Sequence, residues 1–132
     1  MFNTIGFIGC GNMGAAMARA VRVSGPDTEL FFANRSRSKA EALAEELVGQ
    51  VQTNEWVARN CSLIFLGVKP QLMGAVLAEL APVLANRMDR FVLLTMAAGL
   101  TTRTIREMAG GEYPVARIMP NTPCAIGAGV VH

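Results

Sequence analysis

The sequence has few of the residues that build metal sites and disulfide frameworks. Its 132 residues include three cysteines and a single histidine. Cys10, Cys61 and Cys124 are far apart, follow neither CxxC nor metal-ligand spacing, and are odd in number. This pattern is typical of reduced thiols in a cytoplasmic protein, and it predicts no metal site.

An excess of charge of one sign is also missing. Twelve basic and ten acidic residues leave a net charge of +2, which is too small to indicate nucleic-acid binding. The first 18 residues carry no charge, but four glycines and two asparagines interrupt them and no basic segment precedes them. They therefore match neither a signal peptide nor a membrane span. Neither nucleic acid nor a membrane is an expected partner.

The first apolar run of the chain ends in a glycine-rich motif. Ile5 to Ile8 leads directly into Gly9, Gly11 and Gly14 in GxGxxG spacing, and a helix-period pattern begins behind them. A strand, a tight turn and a helix in this order hold a dinucleotide pyrophosphate. The first glycine permits the turn, the second lets backbone N–H groups approach the phosphates, and the third lets the helix pack closely on its strand. The helix N-terminus adds unpaired N–H donors and a partial positive charge.

Apolar runs and helix-period segments alternate along the rest of the chain. Hydrophobic residues make up 52% of the sequence and charged residues 17%, as expected of a sheet covered on both faces. Strands are predicted at 5–8, 29–33, near 51, and at 62–68, 91–95, 115–119 and 126–131, with helices between most of them. This order predicts a single α/β domain over residues 1–132, with a doubly wound, mostly parallel, Rossmann-like sheet.

Local signals predict where some of these helices begin, end and face. Ser38 and Glu41 have the spacing of a capping box for the second helix, and Thr101 is the expected cap of the last one, which Gly110 ends. The helix that starts at Pro70 has an apolar stripe on one face, formed by Leu72, Val76, Leu77 and Leu80.

The residues after the second strand indicate which dinucleotide is bound. About twenty residues beyond the glycine loop, where an acid would signal NAD, the sequence has Asn34. It is followed by Arg35, Ser36, Arg37, Ser38 and Lys39. A phosphate monoester favours a bidentate guanidinium and hydroxyl donors with no carboxylate beside them. The cluster favours NADP(H) over NAD(H), and the alternative is an ordinary solvated helix start.

Three further segments each follow a predicted strand: Val68-Lys69-Pro70, Ala97-Ala98-Gly99, and the run RIMPNTP at 117–123. Together with the glycine loop and Asn34-Arg35-Ser36, they closely resemble pyrroline-5-carboxylate reductase, the last enzyme of proline biosynthesis. The match runs along essentially the whole chain in the same order. The segment MPNTP is its most specific part.

The resemblance implies a role for each matching position. The pyrophosphate would be wrapped by Ile8, Gly9, Cys10, Gly11, Asn12 and Met13. The adenosine part would be met by Asn34, Arg35 and Ser36 at its 2′-phosphate and by Asn54. The path toward the nicotinamide would be lined by Val68, Lys69, Pro70, Ala97 and Ala98. The nicotinamide end, near the substrate, would be met by Asn121 and Thr122.

The implied reaction is hydride transfer from NAD(P)H to the C=N carbon of 1-pyrroline-5-carboxylate, which gives L-proline. A protonated imine is already an electrophile, so the protein has mainly to orient it and exclude water. No proton donor is assigned. Family members continue into a C-terminal helical domain that forms the dimer and much of the substrate pocket. The full-length protein is therefore expected to be a homodimer or higher homo-oligomer. The present chain is expected to be a fragment that lacks most of the substrate site.

Two other interpretations stay open. The chain could belong to a β-hydroxyacid-type or another cyclic-imine reductase, although MPNTP argues against the β-hydroxyacid type, which shares a GxGxMG start. It could also be a catalytically inactive dinucleotide-binding or sensor module.

Overall fold

The computed structural model of the chain describes residues 4–95 and 100–117. Within these ranges the strands are β1 (Thr4–Ile8), β2 (Glu29–Ala33), β3 (Gln50–Val51), β4 (Leu63–Leu66), β5 (Val92–Thr95) and β6 (Val115–Arg117). The helices are α1 (Asn12–Ser24), α2 (Arg37–Leu47), α3 (Asn54–Asn60), α4 (Pro70–Ala85) and α5 (Thr102–Ala109).

The strands form one sheet in the order β3-β2-β1-β4-β5-β6, and each neighbouring pair is parallel. β1 lies at the centre, with Ile5 in register with Leu30 of β2 and with Leu63 of β4. The predicted doubly wound, Rossmann-like fold is confirmed. Strand order reverses between β1 and β4, and in such sheets a crevice opens at that point beyond the carboxyl ends of the strands.

Helices cover both faces of the sheet. α1 and α2 pack on one face, over a row of three phenylalanine rings. The ring centroid of Phe7 lies 5.4 Å from that of Phe32 and 5.6 Å from that of Phe65. α3, α4 and α5 pack on the other face, where Ile8 and Leu77 are fully buried. Because successive residues of a strand point to opposite faces, the sheet is apolar on both sides, as the continuous apolar runs predicted.

Two of the predicted helix ends are confirmed and one is wrong. The Thr101 hydroxyl accepts a hydrogen bond from the Thr104 N–H at 3.1 Å, and Gly110 ends α5 with a φ of 82°. The capping box at Ser38 does not form, because the N-cap of α2 is Ser36, two residues earlier, and the helix begins at Arg37.

β4 and β5 are shorter than the apolar runs at 62–68 and 91–95 that predicted them, whereas β2 matches its predicted range and β1 is one residue longer. β4 ends at Leu66, and the following Gly67 and Val68 already belong to the loop above the sheet. The strand predicted at 126–131 lies outside the described residues. No helix in the described ranges is long and apolar enough to cross a membrane. In the same ranges, no group of three or more His, Cys, Asp or Glu side chains is placed to hold a metal ion.

Candidate functional site

A cleft of about 780 Å³ opens beyond the carboxyl ends of β1, β2 and β4. Ligand pockets in proteins commonly have volumes of this order. The segments that follow these strands form most of its lining, which includes Ile8, Gly9, Gly11, Asn34, Arg35, Gly67, Val68 and Lys69. The glycine loop, the segment after Ala33 and the segment after Leu66, each of which follows a predicted strand, therefore meet at this edge of the sheet.

The glycine loop is held to the neighbouring strand ends by backbone contacts. The Gly9 N–H donates to the Ala33 carbonyl at 2.8 Å, and the Gly67 N–H donates to the Ile8 carbonyl at 2.7 Å. Gly9 has a φ of 94°, and a Cβ there would lie 2.7 Å from the Gly67 carbonyl carbon. Two loops thus lie backbone against backbone, at a distance that only glycine permits.

The two other motif glycines differ in what surrounds them. A Cβ at Gly14 would lie 2.5 Å from the Gly9 carbonyl oxygen and 3.9 Å from the Phe65 ring. Close approach of helix to strand was the predicted reason for this glycine, and the tight contact is instead with the loop. A Cβ at Gly11 would meet no atom within 4 Å, and Gly11 lines the cleft. Nothing in the described protein packing requires a glycine at that position.

Gly11 is also the N-cap of α1, so the first N–H groups of that helix have no partner within the helix. N–H groups of this kind attract anions.

The Cys10 N–H is different, because it donates to the Asn34 side-chain oxygen at 2.9 Å. The Cys10 thiol packs in the core beside α1, and burial raises its pKa to about 11. The Cys10 side chain therefore belongs to the core side of the loop.

Residues 35–39, called the basic turn below, comprise the turn after β2 and the first residues of α2, and they give one end of the cleft a positive charge. Arg35, Arg37 and Lys39 all line it and are exposed. Arg37 pairs with Glu41 at 3.2 Å, whereas among the described residues no carboxylate forms an ion pair with Arg35 or Lys39. A cationic surface with an unpaired guanidinium is suited to a phosphate monoester.

One face of α4 forms the wall of the cleft opposite the basic residues, and this face differs from the predicted one. Leu72 and Val76 were expected to share a face with Leu77 and Leu80. They lie instead on the cleft side of α4, where Leu72 is 44% exposed, whereas Leu77 and Leu80 are buried. The wall is completed by Ala75 and Glu79. The sequence does contain the spacing of a second helical face, because positions 72, 75, 76 and 79 recur at helical intervals beside the core stripe.

Some of the remaining predicted site residues lie within the described part of the chain and others lie outside it. Asn54, the first residue of α3, lines the cleft beside Thr53 and Glu55. Pro70 is the first residue of α4, and Lys69 precedes it as N-cap. Met13 lies in the first turn of α1 and is 46% exposed. Ala97, Ala98, Asn121 and Thr122 lie outside the described residues.

Residues 4–106 match the protein family described as "NADP oxidoreductase coenzyme F420-dependent". Pyrroline-5-carboxylate reductase 3 of Danio rerio is 33% identical over 129 residues, which is 96% of this chain and 44% of that protein. A pyrroline-5-carboxylate reductase structure from Coxiella burnetii superposes with a TM-score of 0.77 at 29% identity, over 88% of this chain and 43% of the other. The chain thus spans less than half the length of the relatives it matches.

A Plasmodium falciparum pyrroline carboxylate reductase structure with NADP bound has a TM-score of 0.71 at 30% identity, over 93% of this chain and 44% of the other. A 3-hydroxyisobutyrate dehydrogenase of Mycobacterium tuberculosis reaches the same TM-score at 14% identity, over 90% of this chain and 40% of the other. That similarity shows the fold alone, so it gives the β-hydroxyacid alternative no further support. The chain belongs to the NADP oxidoreductase, coenzyme F420-dependent family, and within it the predicted resemblance to the amino-terminal, dinucleotide-binding part of pyrroline-5-carboxylate reductases is confirmed.

Proposed function

We propose that this chain is the cofactor-binding part of an oxidoreductase that transfers a hydride from NADPH to 1-pyrroline-5-carboxylate and yields L-proline. The observation that carries the proposal is the cleft at the strand-order reversal, with the glycine loop on one side and a basic turn on the other. The reductases that match nearly the whole chain support the choice of reaction.

The glycine loop has the features that a pyrophosphate requires. Gly11 leaves open space in the cleft, and the first turn of α1 offers N–H groups and a partial positive charge beside it. Gly9 and Gly14 hold the loop in this shape through contacts with protein atoms. A phosphate group at Gly11 would therefore meet donors already in position.

The basic turn supports NADPH over NADH as the cofactor. Arg35 is exposed at the edge of the cleft, where it could form two parallel hydrogen bonds to a 2′-phosphate. Lys39 adds a second charge on the same side. Ser36 precedes α2, and its hydroxyl lies 3.1 Å from the Ser38 hydroxyl. One of the two donates to the other, so the O–H of the accepting serine is available to a phosphate.

The other positions take the roles implied by the family resemblance. In this proposal Asn54 meets the adenosine, and the rest of the path toward the nicotinamide is lined by Val68, Lys69, Pro70, Ala97 and Ala98. Asn121 and Thr122 lie by the nicotinamide end. The apolar side chains of Leu72 and Val76 add a wall suited to a flat ring.

When bound, the nicotinamide supplies the hydride, and the residues of this chain bind and orient it. Fixing the dinucleotide at its two phosphate positions holds the ring against the substrate, which lowers the entropic part of the barrier. The complete enzyme would act as a homodimer or larger homo-oligomer on this small-molecule substrate.

Cofactor preference is tested by fluorescence titration of the chain with NADPH and with NADH. Unaltered protein is expected to bind NADPH more tightly, and Arg35→Asp is expected to abolish the preference, with NADPH affinity about ten- to a hundredfold lower. Arg90→Asp is the matched control, because Arg90 is exposed beyond the opposite, amino end of the sheet. Equal affinities of the unaltered protein for the two dinucleotides would contradict the 2′-phosphate proposal.

The reaction is tested with the complete protein that contains these 132 residues. Addition of 1-pyrroline-5-carboxylate should start NADPH oxidation, followed as loss of absorbance, and proline should form in equal amount. A complete protein that binds NADPH but leaves this substrate unchanged would contradict the proposed reaction without contradicting the proposed cofactor.

A further inference from the structure

Asn34 joins the two loops that flank the basic end of the cleft. Its side-chain oxygen accepts a hydrogen bond from the Cys10 N–H of the glycine loop at 2.9 Å. Its side-chain nitrogen donates to the Ser36 carbonyl at 3.0 Å. Ser36 is the N-cap of α2, and its carbonyl also accepts from the Lys39 N–H at 3.2 Å. One half-buried carboxamide thus spans from the glycine loop to the start of the basic turn.

The chemistry of the partners fixes the orientation of this side chain. A backbone N–H can only donate, so the atom facing Cys10 is the oxygen. A backbone carbonyl can only accept, so the atom facing Ser36 is the nitrogen. Both ends of the carboxamide are therefore used within the protein. An aspartate could accept from the Cys10 N–H, but its second oxygen would face the Ser36 carbonyl and repel it.

We infer that Asn34 is a positioning residue, which aligns the glycine loop with the 35–36 turn and so sets the spacing between the two phosphate positions. The inference rests on the proposed function for its ligand, and it changes the role that the family resemblance implied for this residue. Asn34 acts on the dinucleotide through Cys10 and Ser36. Position 34 is where an acid would bind the ribose in an NAD-dependent protein. Here that acid is excluded, because the site requires a donor as well as an acceptor.

This role predicts that cofactor preference cannot be reversed by placing an acid at position 34. In Asn34→Asp the carboxylate remains bound to the Cys10 N–H, and repulsion at Ser36 displaces the turn that carries Arg35. NADPH affinity is expected to fall about tenfold or more, the factor for one charge-assisted hydrogen bond, without any gain in NADH affinity. A residue that simply faced the ribose would behave differently, because Asp in its place would raise NADH affinity.

Asn34→Ala removes both hydrogen bonds without adding charge. Because the glycine loop serves both dinucleotides, we expect NADH affinity to fall about fivefold, and NADPH affinity to fall about tenfold or more because only NADPH also depends on the spacing to Arg35. Loss of NADPH affinity alone would overturn the inference, since it would mean that the carboxamide contacts the 2′-phosphate.

Hydrogen exchange of the Cys10 N–H, followed by NMR on the unliganded chain, tests the connection without any dinucleotide. Exchange is expected to accelerate about tenfold in Asn34→Ala and to stay slow in Asn34→Asp, while β4 amides remain protected in both and report an intact fold. Asn60→Asp is the matched control. Its side chain also donates to a backbone carbonyl, that of Trp56 at 3.0 Å, but at the end of α3. Unchanged exchange in Asn34→Ala would refute the connection. Failure of the unaltered protein to bind either dinucleotide would instead contradict the proposed function, and the exchange result would still decide the role of Asn34.

Discussion

The motif glycines Gly11 and Gly14 are predicted to respond in opposite ways to the same substitution. Alanine at position 14 places a methyl group 2.5 Å from the Gly9 carbonyl oxygen, far inside van der Waals contact. Alanine at position 11 places a methyl group where no protein atom lies within 4 Å. Neither glycine has a positive φ, so alanine meets no left-handed strain at either position and the contrast depends on what surrounds each Cβ.

The expected loss of stability follows from these surroundings. Forcing an extra methyl group into a packed region costs about 1–3 kcal/mol. Gly14 lies in the first turn of α1, where alanine gains up to about 1 kcal/mol of helix propensity. The net loss for Gly14→Ala is therefore about 1–2 kcal/mol, or a fall in Tm of roughly 4–8 °C for a domain of this size.

Gly11→Ala should leave the free energy of unfolding within about 0.5 kcal/mol of the unaltered value. Gly11 is the N-cap of α1 with φ −74° and ψ −168°, an extended conformation that alanine adopts without strain. Alanine is a poorer N-cap than glycine, and the lower entropy of its unfolded chain offsets that loss. NADPH affinity should nevertheless fall about tenfold or more, because the methyl group occupies the space proposed for a phosphate.

Urea unfolding and NADPH titration of both variants measure the two effects separately. Equal destabilisation of the two variants would refute the distinction between a packing glycine and a cleft glycine. Unchanged NADPH affinity in Gly11→Ala would refute the placement of the pyrophosphate while leaving the packing contrast intact.

Two further predictions concern groups away from the cleft. The Arg87 guanidinium, 3% exposed, donates to two backbone carbonyls at the end of α3. Arg87→Ala should lower the free energy of unfolding by about 3 kcal/mol, measured in urea, and Arg90→Ala should change it by less than about 0.5 kcal/mol. Burial raises the pKa of the Cys10 and Cys61 thiols from 9.0 to about 11 and about 12. Because folding favours their protonated forms, this stability is complete below pH 9 and is lost as the pH rises toward 11 and 12. In a Cys124→Ser background both thiols should react with a thiol reagent at pH 8 about a hundredfold more slowly in the native than in the urea-unfolded chain. A fast native reaction, or a stability that does not fall between pH 9 and 11, would contradict the assigned burial.

The features that repeat with a simple period could be predicted from the sequence. Apolar runs and helical stripes predicted the alternating elements, and the glycine motif predicted which strand lies at the cleft. The segments after β2 and β4 could also be identified, because parallel strands bring their carboxyl ends to one edge.

The features that could not be predicted from the sequence depend on contacts between distant segments. The connection through Asn34 joins positions 24 residues apart and exists only because β1 and β2 pair in a particular register. The cleft-facing stripe of α4 was assigned to the core because Leu72 and Val76 are as apolar as Leu77 and Leu80 and recur at the same helical spacing. Which stripe is buried depends on how α4 packs on the sheet. The start of α2 was misplaced because Ser36 and Ser38 have equal capping propensity in sequence.

The central position of β1 ties the cleft to the folding of the chain. β1 pairs with β2 and also with β4, whose residues lie 58 positions further along, so it cannot gain both neighbours through local contacts. Pairing over such separations slows folding, because the intervening chain must close first. Backbone hydrogen bonds connect the glycine loop to the ends of these three strands, from the Gly9 N–H to the Ala33 carbonyl and from the Gly67 N–H to the Ile8 carbonyl. The loop is therefore complete only when all three strands have assembled. A partly folded chain therefore has no complete glycine loop, and a dinucleotide that binds only the assembled sheet would stabilise the whole domain against unfolding and proteolysis.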